Sequence, residues 1–420
     1  MKQICAGSLW VCLLGVVTGA FAQGEQQPKP TAPVPQWTIY GSVKADLIAE
    51  EPAGSGPITL YAPPSTPSQH QHRFTYTLRQ TRVGLVGPGP QVLGGKTSNT
   101  VEMDWYGTGG TDNTATPRLY RAFIKGVWPT FDVLAGQDWD LSSRLYAKTV
   151  IFFMPPAGNP QYRRPQLRAV KSFPMSDDQS GFSLAGALVQ PPQRDLDNDG
   201  MPDGDASGLP MLEGRMAFER YKDKGFRIQK HDKENDPSFT LAASGHVGRE
   251  EIWTGSAGMQ TFRTWSVTGE ACLPLPFHSS FKCEVYRGDN LGFNYGGISQ
   301  GPIKKKNGTF ADVHDQGGWG QLEINTRYRT FKDQPPGQDP VPTLQFHVGG
   351  GIDQPRAEDL SPGDRSRNIA CYANVYYQIA TALTFAAEQV QYQTRYLGGE
   401  TANLSRTQVS CTLGPLKKSF

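Results

Sequence analysis

The side chains with the most chemistry to offer are arginines and carboxylates that recur at strand spacing through the first half of the chain. Arg79 and Arg82 are three apart, Glu102 and Asp104 two apart, and Arg121, Asp138, Arg163, Arg164 and Arg168 follow. On an extended chain, residues two apart share a face. Guanidinium groups taken inside a fold need carboxylates or water around them. Two outcomes stay open. In one, Glu102 and Asp104 satisfy Arg79, Arg82 and Arg121, and the set merely braces a wall. In the other, surplus arginine faces water and gives anions a favourable path. Simple alternation puts Arg79 and Arg82 on opposite faces; only a bulge near Thr81 turns both inward.

A second constellation is the run Asp195-Leu196-Asp197-Asn198-Asp199-Gly200. Oxygen ligands at alternating positions before a glycine are what a calcium loop supplies. Met201 would add its carbonyl and Asp203 would act through water. The bidentate acid that closes such a loop is replaced by Ala206, with Asp205 one place early as a substitute. Bound Ca2+ would be structural and would stiffen the loop; the alternative is a solvated acidic tip. No other cofactor is called for. His70 and His72 form the one close histidine pair and read as surface residues. There is no G-x-S-x-G, H-E-x-x-H or phosphate-binding glycine loop, so no catalytic residue is nominated.

The elements that position these groups are strands. In 37–47, Trp37, Ile39, Val43, Ala45 and Leu47 share one face while Tyr40, Ser42, Lys44 and Asp46 share the other. The same alternation recurs at 100–106 and at 118–125, where Arg121 and Lys125 oppose Tyr120, Ala122 and Ile124. It continues at 181–189, 212–221, 238–248, 261–273, 280–287, 319–329, 342–349, 368–379, 383–396 and 404–413. Short links at 127–130, 276–280 and 380–382 alternate with long polar ones at 49–71, 140–162, 190–210, 289–316 and 351–367. This rhythm predicts an all-β fold: a transmembrane antiparallel β-barrel of about 16 strands, with short periplasmic turns and long extracellular loops. The links 222–237 and 330–341 are long for periplasmic turns. Pro415 and the Lys417-Lys418 pair predict that the last strand stops near Leu413, ahead of the terminal aromatic Phe420.

Composition agrees. Hydrophobic residues make up 37% and mean hydropathy is −0.48. After the N-terminus no run approaches the ~20 apolar residues of a membrane helix, but barrel strands average to polar because apolar and lumenal residues alternate. A net charge of +2 excludes a polybasic nucleic-acid surface. Lys2, the apolar Leu9–Val17 stretch and Ala20-Phe21-Ala22 read as a signal peptide over 1–22. A Pro- and Gln-rich periplasmic linker follows over 23–35, and the barrel occupies 36–420. Of six cysteines, Cys5 and Cys12 leave with the signal. Cys272 and Cys283 flank a turn and either form a cross-strand disulfide or remain two small thiols.

The succession YGSVKADLI, RQTRVGL (79–85), VEMDWYG (101–107), LAGQDW (134–139) and YRRPQLR (162–168) resembles the DcaP-like porins, a branch of the general trimeric porin superfamily. The motifs cover about the first third of the chain, and the family's helical N-terminal stalk is replaced by the Pro-rich linker. The resemblance implies a 16-stranded barrel, a homotrimer in outer-membrane lipid, and passive uptake of small organic, often carboxylate-bearing, solutes. The loop 140–162 falls where a porin constriction loop lies, and its apolar centre, Val150 to Pro156, gains burial by folding inward; a contact between protomers or with lipid is the alternative. The expected function is a channel for small polar or anionic solutes. A barrel-borne hydrolase and a secreted soluble β-rich binding or adhesive protein are the alternatives.

Overall fold

The computed structural model describes residues 36–54, 58–64, 72–151, 157–221, 237–254, 258–326, 343–380 and 382–419. The expected signal peptide, the linker, His70, Phe420 and most of the links 222–237 and 330–341 lie outside them.

Sixteen wall strands form one closed antiparallel sheet. They are β1 (Thr38–Glu51), β2 in two pieces (Arg73–Thr77 and Arg82–Val92), β3 (Gly95–Asp104), β4 (Arg118–Val127), β5 (Phe131–Trp139), β6 (Arg163–Pro174), β7 (Ser180–Val189) and β8 (Met211–Arg220). Then come β9 (Phe239–Trp253), β10 (Met259–Leu275), β11 (Ser279–Asp289), β12 (His314–Asn325), β13 (Thr343–Pro355), β14 (Arg365–Ala380), β15 (Leu383–Tyr396) and β16 (Thr401–Ser419). Each strand pairs with its chain neighbours, and β1 closes the ring on β16, with Thr38 opposite Ser419 and Glu51 opposite Ser405. Closure leaves no free edge, which is how a sheet meets a membrane with its backbone satisfied.

Period two sets the faces. Along β1, Val43 and Leu47 are exposed on the outside while Lys44, Asp46 and Glu50 are buried within. The same holds around the ring: Phe74, Tyr76, Leu184, Met216, Leu241, Val267, Val285 and Val348 face outward. An apolar belt over a polar interior is the pattern of a lipid-embedded barrel. Cross-strand aromatics reinforce the short-turn end, with ring centroids of Phe182 and Phe218 5.0 Å apart and of Phe218 and Phe239 5.9 Å apart.

Three irregularities matter. First, β2 breaks at 78–81, where Thr81 N–H donates to the Leu78 carbonyl. Inward positions are odd before the break (Thr75, Thr77) and even after it, so Arg79 and Arg82 both turn to the lumen. Second, a bulge on β4 places Arg121 opposite Glu102 but Leu119 opposite Met103. Tyr120, expected outside with Ala122 and Ile124, is the extra residue; it turns inward and is buried. Third, β16 does not stop near Leu413. It runs to Ser419, because a bulge sets Gly414 and Pro415 against the single residue Ser42 and leaves Pro415 with no ladder bond to supply.

Cys272 and Cys283 are free thiols, as are Cys371 and Cys411. Cys272 sits opposite Lys282, and Cys283 opposite Ala271. That one-residue offset sends the two sulfurs to opposite faces of the sheet, so no disulfide can form between them.

Candidate constriction of the lumen

Residues 140–151 and 157–162 of the loop lie inside the barrel along its inner wall. Their polar backbone must be satisfied there, and wall carboxylates do much of this. Leu141 N–H donates to Glu213 on β8 at 2.6 Å, Leu145 N–H to Glu270 on β10 at 3.3 Å, and Ser143 Oγ–H to Glu284 on β11 at 2.7 Å. Gly158 N–H donates to Asp353 on β13 at 3.0 Å. Val150 and Ile151 N–H donate to the two oxygens of Glu388 on β15 at 2.9 and 3.0 Å. Lys44 Nζ on β1 donates to the Val150 carbonyl at 2.8 Å, and Gln80 Nε2 to that of Ile151. Val150 and Ile151 are buried; residues 152–156 of the expected apolar centre lie outside the described residues. The close fit depends on Gly351, where a Cβ would stand 2.0 Å from the Ala157 carbonyl oxygen.

Two further segments, expected as external loops, also fold inward. Residues 58–64 dock on β14–β16: Tyr392 Oη–H donates to the Thr59 carbonyl at 2.7 Å, Tyr396 Oη–H to that of Ala62 at 2.8 Å, and Asn368 Nδ2 to that of Leu60 at 2.9 Å. Residues 290–302 bury Leu291, Phe293 and Ile298, and Gly297 N–H donates to Asp315. A cluster of Ala62, Ala147, Ala157, Trp319, Tyr372, Val390 and Tyr392 joins the first segment, the loop and the wall.

The loop's bonds to wall carboxylates run from β8 round to β15, with Lys44 on β1, Gln80 in the break of β2 and Arg164 on β6 also touching it. The remaining expected arginines stand on β2–β6. Glu102 takes Tyr40 Oη–H at 2.8 Å, Arg82 at 3.4 Å and Arg121 at 3.2 Å. Asp138 takes Arg168 at 2.8 Å and Arg121 at 3.6 Å. Asp104 is held by Arg118, Nε at 2.9 Å and Nη2 at 2.6 Å. Tyr120 lies between two guanidinium groups, Arg82 at 3.8 Å and Arg163 at 3.9 Å from its ring centroid. Arg163 also covers Trp139 at 4.5 Å. Such stacking holds a guanidinium without neutralising it.

Not every expected residue is placed alike. Arg79 is buried, donates to the Trp105 carbonyl at 3.0 Å and lies over Tyr106. Arg164 is buried between Asp140, at 3.3 Å, Asn294 and the Phe293 ring, and so packs the junction of the inward segments. Burial, against the pull of Arg164 and with a push from Glu213, holds the Asp140 carboxyl well above its ordinary value.

Sequence reasoning passed over Arg118, Tyr120 and Arg144. Arg144 lies on the inward loop and makes no ion pair or hydrogen bond with a described residue. Burial, then the guanidiniums of Arg168 and Arg215, pull its pKa below the ordinary arginine value. Like Arg163, it pairs with no carboxylate among the described residues, and Asp138 is already shared between Arg121 and Arg168.

At 195–205, the carboxylates of Asp195, Asp197 and Asp203 converge. Asp199 and Asp205, expected with them, are not in that group: Asp199 accepts Met201 N–H at 2.8 Å and Asp205 accepts Gln193 Nε2 at 2.8 Å. The short helix Asp203–Ala206 carries Asp205 away from the other acids.

No family of known proteins matches the sequence, and no curated protein matches it closely. Solved structures do match. The outer membrane channel DcaP of Acinetobacter baumannii is 13% identical with a TM-score of 0.66, over 91% of this chain and 97% of that one. An anion-selective porin from Comamonas acidovorans is 10% identical with a TM-score of 0.54, over 91% and 99%. OmpT of Vibrio cholerae, from the outer membrane, is 9% identical with a TM-score of 0.52, over 91% and 99%. With a closed barrel, an apolar belt and these likenesses over nearly the whole described chain, the protein has the fold of a bacterial outer-membrane porin, DcaP included.

Proposed function

We propose that this barrel is a passive diffusion channel for small hydrophilic solutes and favours anions, small organic carboxylates among them. The observation that carries the reading is a pair of arginines that form no ion pair with a carboxylate among the described residues. Arg144 on the inward loop and Arg163 on the wall flank a row in which Glu102 and Asp138 are each shared by two arginines. A surplus of fixed positive charge in a narrow aqueous passage raises local anion concentration and repels cations. The likeness to an anion-selective porin agrees. The test is the reversal potential of purified protein in planar bilayers under a KCl gradient. An anion-leaning value supports the proposal. A cation-leaning value sinks the arginine argument, and a folded barrel that passes no current sinks the channel itself.

The same reading includes assembly into trimers in the lipid. On the outer face of β15 and β16, Gln389, Gln391, Gln393, Asn403, Ser405 and Thr407 replace the apolar belt. They bond to each other, with Gln389 Nε2 to Ser405 Oγ at 2.9 Å and Gln391 Nε2 to Ser405 Oγ at 3.0 Å. Thr407 Oγ1 donates to Gln389 Oε1 at 2.5 Å. Polar side chains are costly against hydrocarbon, and a second copy covers such a strip at lower cost than lipid. Native electrophoresis of Gln391→Arg, expected to run as monomer, tests this contact.

A further inference from the structure

The loop 190–210 between β7 and β8 carries acids that the proposed channel reading does not use. Carboxylate oxygens of Asp195, Asp197 and Asp203 lie within 4.8 Å of one another. Clustered acids on a loop are common, and the cluster alone would mean little. Asp203 sets this one apart. It is 1% exposed, its Oδ2 accepts Leu196 N–H at 3.0 Å, and its buried Oδ1 accepts no hydrogen bond among the described residues. A bare, buried carboxylate oxygen beside two further carboxylates is unfavourable unless something positive sits among them. The nearby cation is already taken: Arg194 Nη2 contacts both oxygens of Glu250, at 2.9 and 3.1 Å.

The loop backbone fixes the other two acids. Asp199 N–H donates to Asp195 Oδ1 at 3.1 Å and Gly200 N–H to Asp195 Oδ2 at 3.0 Å. Asn198 (φ 62°) and Gly200 (φ 92°) take the left-handed conformations that curl the chain around these oxygens. Asp197 Oδ2 accepts Trp253 N–H, so the cluster spans from the loop to the end of β9.

We propose that Asp195, Asp197 and Asp203 hold one hard divalent cation, Ca2+ by preference, which ties the loop to the rim of the barrel at Trp253. An all-carboxylate oxygen set suits Ca2+ rather than a soft metal, and loop carbonyls and water complete its coordination. Asp199 and Asp205 are left out because their carboxylates do not converge with the other three; they accept Met201 N–H and Gln193 Nε2 instead.

The test uses the detergent-solubilised full chain and Tb3+ as the probe, with luminescence sensitised by Trp253 and Ca2+ as competitor. The expected result is one Tb3+ bound per chain and displaced by Ca2+. Asp203→Asn should weaken it at least tenfold, while Asp205→Asn leaves it unchanged. Heat-modifiable migration and unchanged conductance verify that each variant folds. Should Asp203→Asn fail to fold, the exposed Asp195→Asn gives the same comparison. Absence of sensitised Tb3+ emission in the unmodified protein, or equal affinity in the Asp203 and Asp205 variants, overturns the proposal.

Discussion

Replacing Arg144 should change ion selectivity by an amount that follows from its surroundings. No described carboxylate pairs with it, so its charge acts on the passage undiminished by an ion pair. An ion passing about 8 Å away across water feels roughly 0.5 kcal/mol from one unit charge. The anion gains this and the cation loses it, so Arg144→Gln shifts the anion-to-cation ratio by about 1 kcal/mol, or roughly fivefold. Arg144→Glu removes one charge and adds its opposite, which doubles the shift to about 2 kcal/mol, or roughly thirtyfold. Screening sets the conditions: at about 0.1 M salt the Debye length is ~10 Å, and at about 1 M it is ~3 Å. Reversal potentials should therefore show a graded change from Arg to Gln to Glu at low salt and a much smaller one at high salt. Lys171→Glu, on the outer face and bonded to Thr130 Oγ1 at 2.8 Å, should change neither. A reversal potential indifferent to Arg144→Glu at low salt would refute the reasoning. So would a shift of equal size at both salts, since a rearranged loop and not a screened charge would then be its cause.

Tyr120→Ala should destabilise the barrel by about 3 kcal/mol through lost burial and stacking, read from the heat or denaturant midpoint of the mobility shift. Tyr120→Phe keeps the ring between Arg82 and Arg163 and should lie within about 0.5 kcal/mol of the unmodified protein. Gly351→Val pushes against the Ala157 carbonyl; it should cost about 1–3 kcal/mol and widen the passage by displacing the inward loop, seen as a larger single-channel step. Chelation with EDTA should speed proteolysis of the 190–210 loop while leaving conductance unchanged, and Ca2+ at about 100 times its dissociation constant should restore about 2.7 kcal/mol of protection.

The wall was legible in the sequence where alternation ran unbroken. Residues 383–396 show it from end to end, and β15 has those bounds. Each face of β1 follows from its apolar and polar residues in turn. Period-two reasoning fails where the chain inserts a residue. Nothing in RLYRAFIK marks the bulge that turns Tyr120 inward, because the bulge is set by register against Glu102 and Met103 on β3. The break in β2 was different: Arg79 and Arg82 at odd spacing made it legible, since only a change of parity gives both charges a polar side. The inward course of 58–64 was hidden because its carbonyls are satisfied by hydroxyls and an amide more than three hundred residues away in sequence. Arg144 was missed for a related reason: a lone arginine in a polar loop has no pattern, and its place depends on how the loop lies.

On the proposed reading, how the loop lies would also explain how a nearly neutral chain presents a basic passage. The lumen is not short of acids: Glu213, Glu270, Glu284, Asp353 and Glu388 all face inward from β8 to β15. Each accepts backbone or hydroxyl protons from the loop 140–162. Covered in this way, they serve as anchors and are withdrawn from the aqueous space. Arg79 and Arg164 are buried, but Arg118, Arg121 and Arg163 accept no such cover from the described part of the loop, and Arg144 is brought to the side of Arg168 by the same loop. On this proposal the loop both narrows the lumen and selects which wall charges a solute meets. Displacing it should therefore do more than enlarge the passage. Gly351→Val, if it frees the loop, should expose the masked acids and move the reversal potential toward cations as conductance rises. A larger conductance with selectivity unchanged would mean that the loop only fills space and that the anion preference belongs to the wall arginines alone.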